Sequence, residues 1–138
     1  MHYSRRRWAL VLSAFLLIMT GCGNDGLDLS AQTWMLVEVD GAPAVPTGIA
    51  TLSFADDGTL SGNTGCNSFT GSYEIDGSSL TIASPLASSL RACDEEIMSQ
   101  ETAVLQALES TSRFSISGSE LELIDDSNKT LARYSAES

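Results

Sequence analysis

The sequence predicts a mainly β fold: a small antiparallel β-barrel-like meander with one α-helix at about residues 94–109. Three observations carry this expectation. Short segments with apolar residues at alternate positions recur along the chain, and a period of two is the mark of a half-buried strand. Turn signals separate them, Asp57-Gly58, Asp76-Gly77 and Ser117-Gly118-Ser119 among them, and Asp-Gly between alternating segments is a strong hairpin cue. A single segment has helical periodicity instead. A meander of short hairpins that closes on itself removes the exposed edges of an open sheet.

The first 21 residues stand apart. Arg5-Arg6-Arg7 is a basic head, Trp8 to Met19 an apolar run of 12 residues, and Thr20-Gly21-Cys22 a small-residue end. A membrane-spanning helix needs roughly 20 apolar residues, so the pattern is that of a secretory signal peptide over residues 1–21. Met19-Thr20-Gly21-Cys22 resembles the lipobox of bacterial lipoproteins, with Met19 where Leu is usual. That resemblance implies lipidation at Cys22, attachment to a bacterial membrane through the N-terminal lipid, and a cell-envelope location with the domain facing periplasm or exterior. The alternative is an ordinary signal peptide with a chance cysteine. Residues 22–32 read as the lipidated cysteine and a flexible tether, polar and without periodicity; ten flexible residues span about 17 Å.

The strands follow in order. In Thr33 to Val39, Trp34, Leu36 and Glu38 share one face and Met35, Val37 and Val39 the other. Apolar residues on both faces predict a strand covered on both sides. Asp40 to Gly48 holds Pro43 and Pro46, which cannot donate to a ladder, and reads as a loop. Ala50 to Phe54 turns at Asp57-Gly58 into Thr59 to Gly62. Ser68 to Ile75 carries Phe69, Gly71, Tyr73 and Ile75 on one face, and Asp76-Gly77 turns it into Ser79 to Ala83. Ser84 to Ala92 is irregular. The helix over Asp94 to Glu109 has Asp94 as its cap and Glu95 and Glu96 at the positive end of its dipole. Ile97, Val104, Leu105 and Leu108 form one apolar stripe, suited to covering an open barrel end. Arg113 to Ser117, Glu120 to Ile124 and Thr130 to Tyr134 complete the sheet, with Leu121 and Leu123 facing in.

The stretch Leu60 to Tyr73 is the densest in glycine, with Gly62, Gly65 and Gly71 around Cys66 and Asn67. Strand glycines mark bulges, bends or close backbone approach, so it reads as a bulged hairpin pinned by a sulfur; a second reading has Gly65-Cys66-Asn67 line a binding surface. With its surroundings the stretch resembles the META domain, also called the HslJ-like family, over residues 33–135. The marks are Trp34-x-Leu36, Ser61-Gly62-x-x-Gly65-Cys66-Asn67-x-Phe69-x-Gly71-x-Tyr73, Ala92-Cys93, Gln100-Glu101-x-x-x-Leu105-x-x-Leu108 and Gly118-x-x-Leu121-x-Leu123. The family often has Thr ahead of the Ala-Cys pair, where this chain has Ser89 or Leu90. The resemblance implies a small β-barrel-like domain, often on an envelope lipoprotein. It implies no established catalytic activity, and general links to heat shock, envelope stress and drug tolerance.

After residue 21 the chain carries 18 acidic residues against four basic ones, Arg91, Arg113, Lys129 and Arg133, a net charge of −14. Such a surface is repelled by nucleic acid and by bare anionic lipid. With Cys22 set aside, Cys66 and Cys93 remain. An exported compartment permits a disulfide between them, closing a loop of about 28 residues worth roughly 3–4 kcal/mol; two buried thiols are the alternative. No cofactor and no metal site is expected. There is no Cys-x-x-Cys, the one histidine is His2, and Asp56 and Asp57 are explained by turn chemistry.

Without a histidine after residue 21, Ser-His and Cys-His catalytic pairs are excluded, and no phosphate-binding glycine loop is present. The expectation is a non-enzymatic envelope lipoprotein with a monomeric domain, acting as a protein-interaction or stress-response module on an envelope protein partner. Its expected binding surface is the loop Gly41–Gly48 with a rim at Asn63, Thr64 and Asn67. The alternative is a carrier of a small apolar ligand inside the barrel, lined by Trp34, Phe54, Phe69 and Tyr73; a cavity above about 300 Å³ would favour it.

Overall fold

The computed structural model describes residues 28–137. The signal peptide expected over 1–21, the lipidation expected at Cys22 and the first part of the expected tether lie outside the described residues. A 3₁₀ turn, Leu29–Ala31, precedes the strands β1 (Trp34–Val39), β2 (Ala42–Pro43), β3 (Ala50–Phe54), β4 (Thr59–Thr64), β5 (Ser68–Asp76), β6 (Ser79–Ile82) and β7 (Ala87–Ser88). The helix α1 (Glu95–Ser110) follows, then β8 (Arg113–Ser117), β9 (Glu120–Ile124) and β10 (Thr130–Ala136).

Eight of these strands form a closed antiparallel barrel in the order β10-β9-β8-β6-β5-β4-β3-β1, with β1 pairing back onto β10. The two-residue strands β2 and β7 are appended to β1 and β5. The β6–β8 seam is narrow. Ser79 pairs with Arg113, flanked by hydrogen bonds from Leu80 N–H to Ser112 O (3.1 Å) and from Phe114 N–H to Ser78 O (3.0 Å). The helix touches β1, β4, β6 and β10, strands from different sides of the ring, and so covers one end of the barrel. At the other end of the β3–β4 hairpin, Leu29 of the 3₁₀ turn is buried in the core, and the Trp34 indole N–H donates to its carbonyl at 3.0 Å.

The interior is filled. Trp34, Leu52, Leu60, Phe69, Leu80, Leu121, Leu123 and Tyr134 are essentially inaccessible, and each such side chain contributes roughly 1.5–3 kcal/mol by leaving water. An eight-stranded ring is just wide enough for side chains to fill it. The residues expected to line a carrier cavity pack against one another instead: Trp34, Phe54 and Phe69 are buried in the core, and Tyr73 sits edge-on to Phe54 with ring centroids 5.0 Å apart.

Four local features differ from the sequence expectation. First, β1 is not covered on both sides. Leu36 pairs with Tyr134 but Glu38 with Arg133, so Val37 is an extra residue. This bulge reverses the strand's phase: Val37 is 48% exposed while Val39 is buried, which explains an apolar pattern that strict alternation misreads. Second, Asp40-Gly41 is itself a hairpin turn. Both residues have positive φ, 49° and 76°, the geometry of a two-residue type I′ turn, and Ala42-Pro43 pairs back on β1. Third, the irregular stretch after Pro85 contributes β7. Fourth, residues 28–32 are folded onto the barrel, not part of a free tether, with Asp28 accepting from Ser30 N–H at 2.9 Å. The helix begins at Glu95 as expected, but the Asp94 side chain makes no capping hydrogen bond.

Candidate functional site

The turn Thr64–Asn67 between β4 and β5 is a polar clasp buried beneath α1. The Asn67 side-chain amide donates to Arg91 O (3.0 Å) and Glu101 Oε1 (2.8 Å). Its Oδ1 accepts from Arg91 N–H (2.7 Å) and the Ser89 hydroxyl (2.9 Å). The Thr64 hydroxyl donates to Glu101 Oε1 (2.9 Å) and accepts from Asn67 N–H (3.1 Å). Thr64 is 0% and Asn67 1% exposed, and the Asn63 side chain accepts from Gly65 N–H at 2.7 Å. Of the rim expected at Asn63, Thr64 and Asn67, Thr64 and Asn67 are therefore turned inward, while Asn63 stays half-buried. Buried polar side chains must be matched by partners, and Thr64 and Asn67 are matched by protein.

Cys66 and Cys93 form a disulfide, with their Cα atoms 6.0 Å apart. It joins the clasp to the residue before the helix cap. Gly65 has φ +101°, and a Cβ there would lie 2.7 Å from Gly48 O and 2.8 Å from Gln100 Nε2. Only glycine lets the turn pass under the helix. Gly62 faces the Phe69 ring, Gly71 faces Leu86, and the Tyr73 hydroxyl donates to Ala55 O at 2.5 Å. Thus every residue of the family motif, Gly62, Gly65, Cys66, Asn67, Phe69, Gly71 and Tyr73, is engaged in packing, in the disulfide or in hydrogen bonds.

Gln100, quoted in the sequence only as a mark of the family resemblance, has a structural role that the sequence reading did not assign. Its Oε1 accepts from Val45 N–H (2.7 Å), and its Nε2 donates to Gly48 O (2.8 Å) and Thr64 O (2.9 Å). One buried amide thus joins α1, the clasp and the loop after β2. A polar residue three positions after Ile97 and four before Val104 lies on the buried side of the helix, and that spacing was its available signal.

Held in this way, the loop stands beside the helix and leaves a groove of ≈ 680 Å³. Val39, Ala42, Pro43 and Val45 form one wall, and Ser99, Gln100 and Ala103 the other, with Asp40, Glu95 and Glu96 around them. Of the expected Gly41–Gly48 surface, Ala42, Pro43 and Val45 thus form one side of a groove whose other side is the helix. Its chemistry is that of a dock: an apolar lining that can cover apolar groups and carboxylates that can accept hydrogen bonds or pair with cations.

Several shifted ionisable groups lie outside the lining of this groove. Asp28, Asp57 and Asp125 are held below the usual carboxylate range by donors within their own turns, chiefly the Ser30 hydroxyl, Thr59 N–H and Lys129 N–H. Burial raises Tyr73, helped by Asp56, Asp57 and Asp28, and burial raises Tyr134 strongly. Each cause is a turn or a packed core. Among the described residues no group of three or more His, Cys, Asp or Glu is placed to hold a metal ion, and no helix is long and apolar enough to cross a membrane.

A model of the META domain matches residues 27–138. A protein from Burkholderia xenovorans solved by NMR superposes with TM-score 0.63 at 26% identity, covering 80% of this chain and 84% of its own. A DUF4847 family protein from Bacteroides vulgatus ATCC 8482, known from a crystal structure, superposes with TM-score 0.60 at 16% identity, covering 79% and 94%. A further NMR structure gives 0.63 at 22% identity, covering 78% and 91%. A search of the curated proteins finds no match. The structural likenesses carry the fold.

Proposed function

We propose, from the premise that the chain belongs to the META domain family, that it is a non-enzymatic envelope lipoprotein whose barrel docks another envelope protein. The observation that carries this reading is the groove between the β1–β2 hairpin and α1, beside a barrel interior already filled by its own side chains. A filled interior favours action through the surface over carriage within it. The basic head, short apolar run and Met19-Thr20-Gly21-Cys22 support export and lipidation. The Cys66–Cys93 disulfide suits an oxidising compartment. A role in envelope stress follows the family resemblance.

The test has two arms. Mass spectrometry of the N-terminal peptide from cells is expected to find acylated Cys22; an unmodified Cys22 thiol would remove the lipid anchor. Cross-linking in native envelopes, read by mass spectrometry, is expected to capture a saturable protein partner with the wild type and to lose it with Ser99→Trp, which fills the groove. A co-purifying small molecule with no protein partner would transfer the reading to a carrier.

A further inference from the structure

The groove does not end at Ala103. A second depression of ≈ 190 Å³ shares Asp40 and Ala103 with it and continues to Ser110, Asp125 and Lys129. The two form one trough along α1, walled by the β1–β2 hairpin and the β9–β10 turn. The helix presents Glu96, Ser99, Ala103, Gln106 and Ser110 to it, residues three or four apart and hence one stripe, with no bulky apolar member. From Glu95 to Ser110 the trough runs about 22 Å at 1.5 Å per residue.

Its charge is one-sided. Asp40, Glu95, Glu96 and Asp125 border it against the single base Lys129, whose ammonium lies 3.4 Å from Asp40. Resting on the reading of this chain as an interaction module, we propose that the trough binds an extended, lysine- or arginine-bearing segment of a partner protein. Length suits the extended form. About 22 Å accommodates six or seven residues at roughly 3.3 Å each. Charge selects the basic side chains: four carboxylates bordering the trough attract cations on alternate positions while apolar residues between them meet Ala42, Pro43, Val45 and Ala103. A second copy of this chain, itself strongly acidic, is repelled.

The test uses the purified chain in detergent micelles and three fluorescein-labelled seven-residue peptides with valine at alternate positions and Lys, Ser or Glu between. Anisotropy is expected to show saturable binding of the Lys peptide alone. Affinity should fall about fivefold with Glu95→Gln/Glu96→Gln, through loss of two exposed ion pairs, and vanish with Ser99→Trp. It should be unchanged with Glu74→Gln on another face. Thermal melts of all variants check folding. Equal binding of the Ser or Glu peptide, or equal losses from the Glu95/Glu96 and Glu74 variants, would overturn the basic-segment proposal. If the Lys peptide fails to bind while Ser99→Trp still abolishes partner capture from envelopes, the partner chemistry is overturned and the interaction module stands. If Ser99→Trp changes neither, both fail.

Discussion

Asn67 uses both amide protons and accepts two further hydrogen bonds; the bond to Glu101 is buried and those to Ser89 and Arg91 are partly buried. Its replacement by alanine removes the acceptor of the Arg91 N–H and one of the two donors to Glu101 Oε1, the Thr64 hydroxyl remaining. Buried polar groups left in this way cost about 1–3 kcal/mol each, so Asn67→Ala is expected to lose roughly 3 kcal/mol in a urea titration while the β-rich circular dichroism is retained. A different residue-scale effect operates at the β9–β10 turn. Asp125 accepts from Ser127 N–H, the Ser127 hydroxyl and Lys129 N–H, and its carboxyl is held below the ordinary value of 3.8. Its contribution is complete above that value and is lost as pH falls through the lower folded-state value. Asp125→Ala should therefore lower the melting temperature at pH 6, and the difference should narrow as pH falls below 3.8. A difference that grew toward acid would contradict this assignment.

At the scale of elements, the bulge in β1 separates two valines that simple alternation sets side by side. Val39→Ala removes buried methyl groups and should cost about 1–2 kcal/mol; Val37→Ala, on the exposed side, should stay within about 0.5 kcal/mol. Equal losses would mean that the strand is unbulged. The disulfide ties the start of α1 to the clasp across a sequence separation of 27. Cys66→Ser, Cys93→Ser and wild type under reductant should all unfold at the same lower denaturant concentration, corresponding to about 3–4 kcal/mol. Hairpins with Asp-Gly turns were legible because the turn chemistry acts locally, as at Asp57-Gly58, and the helix was legible because Val104, Leu105 and Leu108 hold its period. Asp40-Gly41 carried the same signal but was obscured by the prolines beyond it. The bulge at Val37 was hidden because it is decided by β10, about a hundred residues away. The candidate site was legible only as a loop: the helix that forms its second wall joins it through Gln100, and a tertiary hydrogen bond leaves no periodic trace.

For the whole molecule, the 3₁₀ turn before β1 shows that the folded unit extends beyond the strands. Leu29 is buried among core residues, and Leu29→Ala should lower stability by about 2–3 kcal/mol. The purified chain can be tested by thermal melting; an unchanged midpoint would return residues 28–32 to a tether. The same residues hold the N-terminal approach at the Phe54–Tyr73 end of the β3–β4 hairpin, while the trough follows α1 at the opposite end. A lipid at Cys22 would thus leave the trough on the side of the domain away from the bilayer.

Closure of the ring by its first and last strands has a consequence for how the protein is made. Trp34 pairs with Ala136, so β1 emerges from the ribosome with its permanent neighbour still unsynthesised. At roughly 5–20 residues per second the wait is about 5–20 s. During it, an apolar strand with a free edge can be held by a chaperone or pair with the wrong chain. Delivery across a membrane in an unfolded state would turn that delay to use, because the chain cannot complete its barrel before its last strand has been made.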